Sequence, residues 1–565
     1  MKKLITLIVC GFTITAAIGQ VVPKWAPNAG KAVFSVVTYD KENKILANGN
    51  GFYIDENGTA VSDYTLFKDA HHAVIVTSDG KELPVERILG ANYIYDVVKF
   101  RTQVGKKITA LTPAIGGNNI GQTVYLLPYS TQKAKSMVSG TVSRIDTISN
   151  NCLYFSMDMT AGEKAISCPV MNEEGQVIGL LQRSSDSDKA KSYAIGIDFA
   201  SSLSINALSG NDPALSSIGI RKALPDTEDQ ALVYLYMNSS KLDGKDYLGM
   251  LDDFILQYPD NTEGYQRRAT YYASLQSEEG NKQAENNLKQ MLKAGKDKSE
   301  SHYQIAKFIY NYSILPEDKR NNNEWNMDRA LEEINKALEG KKEGIYYNTQ
   351  GDIYFAMKKF EEAYQAYSNV NKSNVASAAS FYSAAKSLEL VEGSSKEEIV
   401  VLMDSAVARF NMPYGQDAAA YLIERARIKM SMKDYRGAVI DYNHFYDSMM
   451  GHVAADFYFY RQEAEMKSRM YSQAIADIDK AIELDSTNID YWLEKAGIHI
   501  RVGQTDEASA TLHKIIQMAP QNGVAHRMLG YVLIRQNNKK EGLKLLAKAK
   551  ELGDEVANQL IEKYK

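Results

Sequence analysis

Only three cysteines occur in 565 residues, and Cys10 lies inside an N-terminal apolar run. A fold held together by disulfides is excluded, because such scaffolds carry several cysteine pairs in much shorter chains. Twelve prolines are too few for a proline-rich or collagen-like chain. The eight histidines fall in no spacing that would hold a metal, so neither a metal nor any other cofactor is expected. No basic block stands out and the net charge is −5, which argues against nucleic acid as the main partner. Beyond residue 20, no apolar run approaches the roughly 20 residues that span a bilayer.

What is present is ordinary for a globular protein, with 44% hydrophobic and 24% charged residues. The chain is too long for a single core, so two or more domains are expected. At the N-terminus, Lys2 and Lys3 precede an apolar run from Leu4 to about Ile18, with Ala16, Ala17 and Gly19 just before Gln20. That order of charged, apolar and small residues predicts a secretory signal over residues 1–19. A retained anchor is the alternative, but the run is short for it, and Cys10 is misplaced for lipid attachment. Export would leave Cys152 and Cys168. If the strands beginning at Leu153 and Cys168 pair, the sulfurs lie beyond bridging distance, and buried free thiols are the expected state.

From Lys31 to Leu203 short apolar runs alternate with turn residues. Ala32-Val33-Phe34-Ser35-Val36-Val37, Ala73-Val74-Ile75-Val76 and Thr123-Val124-Tyr125-Leu126-Leu127 read as strands, with turn signals at Asn57-Gly58, Asp79-Gly80 and Glu174-Gly175. This spacing predicts an all-β barrel or sandwich. Gly49-Asn50-Gly51-Phe52-Tyr53-Ile54, Tyr95-Asp96-Val97-Val98-Lys99, Gly140-Thr141-Val142-Ser143, Pro169-Val170-Met171-Asn172 and Ala194-Ile195-Gly196-Ile197 follow one another in a recognisable order. The series resembles the trypsin-like serine proteases of the high-temperature-requirement type found in the bacterial periplasm. The resemblance implies a double β-barrel over residues 25–205 and a periplasmic or secreted protein of a Gram-negative bacterium.

It also implies a histidine base, an orienting aspartate and a serine nucleophile. Counting without gaps from Gly51, the histidine's position falls on Tyr64, a phenol with a pKa of about 10 and a poor proton acceptor. Anchored on Pro169, the nucleophile's position falls on Ile166, in Lys164-Ala165-Ile166-Ser167-Cys168-Pro169. The glycines that would turn amides toward an oxyanion are missing from that loop. Of the triad, Asp96 alone matches. Ser167 or Cys168 are fallback nucleophiles, with His71 or His72 as base, but a one-residue slip on an extended segment turns a side chain to the opposite face.

After a Gly/Ser/Pro-bearing stretch, expected as a linker over 206–225, the pattern becomes helical to residue 565. Ala474, Ala508 and Gly542 stand 34 residues apart, and Ala481, Ile515 and Ala549 follow each by seven. That period, with small residues at fixed offsets, is the signature of tetratricopeptide repeats. The clearest pair has Tyr347, Gly351 and Tyr354 on one helical face and Phe360, Ala363 and Tyr367 on the next. Stacked pairs make a superhelix whose groove holds a peptide or another protein. Asn348, Lys358 and Lys359 are weak candidates for ligand contact.

The expected architecture is therefore multidomain: an all-β trypsin-like double barrel, then an all-α tetratricopeptide solenoid over 226–565. The leading functional expectation is an exported, non-catalytic scaffold or adaptor, a pseudo-serine protease that binds proteins or peptides. An active serine or cysteine endopeptidase with an unorthodox site, and a chaperone-like holdase, are the alternatives. The sequence names no partner and no oligomeric state.

Overall fold

The computed structural model describes residues 22–114, 116–131, 137–148, 152–184 and 190–565. The expected signal segment, with Cys10, lies outside the described residues. The chain forms two compact units, one ending at Arg268 and the other running Ala269–Lys565.

Among the described residues the first unit holds twelve strands in two closed antiparallel barrels. In the first barrel the strands are β1 (Val33–Tyr39), β2 (Ile45–Tyr53), β3 (Thr59–Ser62), β4 (His72–Val76), β5 (Glu82–Asn92) and β6 (Val97–Thr102). Their order is β1-β2-β3-β6-β5-β4, closed by β1 against β4 with Val36 opposite Ile75. The second contains β7 (Thr123–Leu126), β8 (Ser139–Thr147), β9 (Leu153–Asp158), β10 (Pro169–Met171), β11 (Val177–Gln182) and β12 (Lys191–Gly196). Its order is β10-β11-β12-β9-β8-β7, closed by β7 against β10 with Val170 opposite Leu126.

Closure removes every free edge, so each strand needs one face of large apolar side chains and little else. Phe34, Phe52, Val61, Ile75, Ile88 and Phe100 fill the first barrel and are fully buried. Phe155, Met157, Val170, Leu181 and Ala194 fill the second. The β2–β3 hairpin turns at Gly58, whose φ of +91° would strain any other residue. Cys152 and Cys168 are both buried, and Cys168 is a free thiol.

The stretch expected as a linker, 206–225, is not one. It lies along the first barrel, where Gly219 N–H donates to Ala70 O at 2.7 Å and Ile88 N–H to Arg221 O at 2.8 Å. Leu215, Ile218, Ile220 and Leu224 join that barrel's core, and leaving would expose all four. The first two helices, Glu228–Asn238 and Gly244–Gln257, belong to the same unit. Leu235 and Phe254 share the barrel core, and Arg87 makes a two-pronged pair with Asp253.

The second unit is all helix, each element packed on its sequence neighbours through short loops, as in antiparallel hairpins. Its small residues sit where helices touch. In the pair Gly344–Ala356 and Phe360–Asn371, a Cβ on Gly351 would come within 2.7 Å of the Tyr367 ring. Ala363, Ala474 and Ala508 are fully buried at the equivalent crossings. None of the helices in the described residues is long and apolar enough to cross a membrane.

Candidate active site

β3 carries the chain through the middle of the first barrel and delivers Asp63 to the start of a one-turn helix, Tyr64–Phe67. Successive residues on such a turn point about 100° apart, so only one of them faces the turn before β6 that carries Asp96. That residue is Thr65. Its backbone N–H and its hydroxyl both donate to Asp96 Oδ1, at 2.7 and 2.8 Å. Tyr64 is buried on another side, with its hydroxyl 2.7 Å from Ser217 Oγ on the docked 206–225 stretch. The base position read at Tyr64 is thus corrected by one residue. The side chain held by Asp96 is a threonine hydroxyl, which cannot take up a proton at any ordinary pH.

The segment facing it is a tight turn, Glu163–Ala165, leading into Ile166. Its amides are already engaged. Ala165 N–H donates to Gly162 O at 2.9 Å, Ile166 N–H to Glu163 O at 3.3 Å, Ser167 N–H to Leu181 O at 3.0 Å and Cys168 N–H to Ala165 O at 3.0 Å. Oxyanion stabilisation requires donors left free to converge on one point, and these four are directed elsewhere. The loop's carbonyls are held as well. The Asn50 side chain on β2 donates to Lys164 O at 2.9 Å and Ile166 O at 2.6 Å, while its own Oδ1 accepts Tyr129 N–H at 2.8 Å.

Neither fallback nucleophile is available. Ser167 is buried in a left-handed conformation, φ +65°. Its hydroxyl shares a hydrogen bond with the Asp63 carboxyl. Burial first, and then the charge of Asp96, push Asp63 up to about 8, against the pull of Ser167 and Arg183. Its Oδ1 has no hydrogen-bond partner among the described residues. At neutral pH Asp63 is mostly a neutral acid and cannot serve as a general base for the serine. Burial raises the Cys168 thiol well above the ordinary range, so no thiolate forms there. His72 stacks flat on Tyr39, ring centroids 4.5 Å apart, and His71 packs against Gly219. No hydrogen bond joins either histidine to Ser167 or Cys168 among the described residues.

The expected contact residues of the helical unit are dispersed. Asn348 donates to Asp352 one turn along its own helix, at 3.1 Å. Lys358 and Lys359 are exposed in the turn before the next helix, not on the face with Asn348.

Two closed six-stranded barrels meet at Asp63, whose carboxyl shares a hydrogen bond with Ser167 of the second barrel and feels the charge of Asp96 of the first. Residues 49–180 match the trypsin-like peptidase domain. The double barrel is of that type, and helical repeats of the tetratricopeptide kind follow it. The chain is also similar to sperm-associated antigen 1 of Mus musculus, 31% identical over 126 residues, and of Rattus norvegicus, 32% identical over 126 residues. Each match takes in 22% of this chain, which spans only 14% of the length of these curated relatives.

Sequence reasoning missed Thr65, Asp63 and the role of Asn50. Asp63 did leave a signal: it is the lone charge in the run Thr59–Phe67.

Proposed function

We propose that this protein is a non-catalytic scaffold in which a peptidase-type double barrel is joined to a helical unit that binds proteins or peptides. The observation that carries the reading is the state of the loop at Ile166. The nucleophile's position is aliphatic, the four following and flanking amides are engaged, and Asp96 is held by Thr65. Catalysis by acyl transfer needs a nucleophile, a base and an oxyanion site together. Helical repeats present an extended surface suited to protein partners. Export is part of the proposal and rests on the Lys2-Lys3, apolar and small-residue order of the first 19 residues.

The test uses the full chain purified after processing. A fluorophosphonate and an iodoacetamide probe, each with unfolded casein as substrate, are expected to give neither active-site labelling nor cleavage. Crosslinking in envelope fractions is expected to recover defined protein partners through residues 269–565. Labelling lost on Ser167→Ala or Cys168→Ala would refute the non-catalytic reading.

A further inference from the structure

The stretch 206–225 docks on the first barrel without filling the space between itself and the helices Glu228–Asn238 and Gly244–Gln257. A cavity of about 500 Å³ lies among the three, within the size range of small-molecule sites. Leu215 and Ile220 of the stretch are buried, and with the half-buried Leu242 and Met250 they give the cavity an apolar wall. Three lysines line it as well. Lys222 comes from the docked stretch, Lys241 from the turn between the helices and Lys245 from the start of the second helix.

These ammonium groups lack a matching counter-charge. Of the two carboxylates on the cavity, Asp253 already pairs with Arg87 and, at 2.7 Å, with Arg221. Asp246 is exposed, forms no ion pair among the described residues, and only partly offsets the burial that lowers Lys222 to about 8. Lys222 Nζ donates to Ile218 O, and Lys241 Nζ donates to Asn211 Oδ1 and, at 3.0 Å, to Gly210 O. Such neutral acceptors satisfy a donor but leave its charge in place. Tyr234 adds a second kind of donor. It lines the cavity at 4% exposure, and its hydroxyl has no hydrogen bond among the described residues. Burial pushes its phenol up to about 12, so it keeps its proton. Buried tyrosine hydroxyls ordinarily find a partner. A solvated crevice accounts for the exposed Lys241 and Lys245, but not for a half-buried lysine and an unpartnered buried phenol on the same cavity.

We infer that this cavity binds a small phosphate monoester, its phosphoryl group among Lys222, Lys241 and Lys245 with a hydrogen bond from Tyr234, and its organic part against Leu215, Ile220 and Met250. Lysine ammonium groups act as compact point charges, suited to holding a phosphoryl dianion from several directions. A carboxylate, with one charge on two coplanar oxygens, would leave part of the lysine charge unmatched. Inorganic phosphate would leave the apolar wall facing water. The cavity belongs wholly to the first unit, so partner capture by residues 269–565 neither requires it nor follows from it.

The experiment is titration calorimetry on the full chain with 1-naphthyl phosphate, 1-naphthoate, 1-naphthol and inorganic phosphate as probes. 1-Naphthyl phosphate is expected to bind, 1-naphthoate and inorganic phosphate to bind at least about tenfold more weakly, and 1-naphthol not to bind. Lys222→Met keeps the apolar stem, removes the charge and should weaken binding about tenfold. Lys241→Gln/Lys245→Gln changes only exposed positions and should do the same, which keeps the test open if Lys222→Met fails to fold. Tyr234→Phe should cost about threefold. Circular dichroism melting checks that each variant stays folded. Absence of binding at millimolar 1-naphthyl phosphate, equal binding of 1-naphthol, or wild-type affinity in Lys241→Gln/Lys245→Gln would overturn the inference. 1-Naphthoate or inorganic phosphate binding as tightly as the ester would overturn the assignment of the ligand to phosphate monoesters.

Discussion

Thr65 and Asp96 are joined by two hydrogen bonds that end on one carboxylate oxygen, at 2.7 Å from the threonine amide and 2.8 Å from its hydroxyl. A carboxylate that would orient an imidazole in a working peptidase is thereby used to pin a turn. Replacing the two side chains is not enough to reverse this. Thr65→His with Ile166→Ser is expected to show no casein hydrolysis and only background fluorophosphonate labelling. Ile166 N–H, the amide of the nucleophile's position, remains tied to Glu163 O, and the loss of even one oxyanion donor typically costs about 100- to 1,000-fold in rate. Turnover by this double variant would show that the loop rearranges freely.

The loop is expected to resist rearrangement because Asn50 holds it from the opposite barrel. Asn50→Ala removes two donated bonds and one accepted bond at a residue that is 6% exposed. Buried carbonyls left without donors make this costly, on the order of 3 kcal/mol. Hydrogen exchange should accelerate in peptides covering 162–168 and around Tyr129, while the helical unit stays protected. An exchange pattern unchanged in 162–168 would remove Asn50 from this role.

The all-β class of the first domain and the helical period were readable because both depend on repeated, local patterns. Apolar runs of strand length broken by Asn57-Gly58 and Asp79-Gly80 announce a barrel, and small residues 34 apart announce helix crossings. The base position was misplaced because it lies on a helical turn, where an error of one residue swings the side chain by about 100°. The 206–225 stretch was misread because Ser, Gly, Asn, Asp and Pro dominate its first residues, whereas Leu215, Ile218, Ile220 and Leu224 follow no strand or helix period. Its docking is a tertiary fact. So is the burial of Asp63, which depends on both barrels closing over one carboxyl.

The repeat signature can be tested where it is tightest. A methyl group on Gly351 would meet the Tyr367 ring at 2.7 to 2.9 Å, and the Tyr367 hydroxyl is itself held by Asp352 at 2.6 Å. The ring cannot swing away without losing that bond. Gly351→Ala gains helix propensity, worth about 1 kcal/mol, yet overpacking typically costs about 1–3 kcal/mol. Net destabilisation of the helical unit is expected, seen as faster exchange in 344–371. Gly351→Ala combined with Tyr367→Leu, which clears the ring, should recover part of the loss.

Asp63 gives the barrels a pH dependence of unusual sign. Its folded pKa is raised to about 8 by burial and by Asp96, whereas an unfolded aspartate titrates at about 3.9. Between those values the native state holds a proton that the unfolded chain has released. Stability therefore declines as pH rises through this window, by at most about 1.4 kcal/mol per unit, and is fully retained below it. Ser167 and Arg183 favour the ionised form and moderate the slope without reversing it. Asp63→Asn keeps the size and a neutral polar tip, so it should flatten the dependence and leave the barrels more stable than wild type at pH 8.5. Native-state hydrogen exchange of peptides covering β3 and β10 at pH 5.5, 7.0 and 8.5, corrected for intrinsic rates, measures both effects. A wild-type barrel as well protected at pH 8.5 as at pH 5.5 would mean that Asp63 is ionised in the fold, hydrated or paired with a cation, and that the neutral-acid account of this site is wrong.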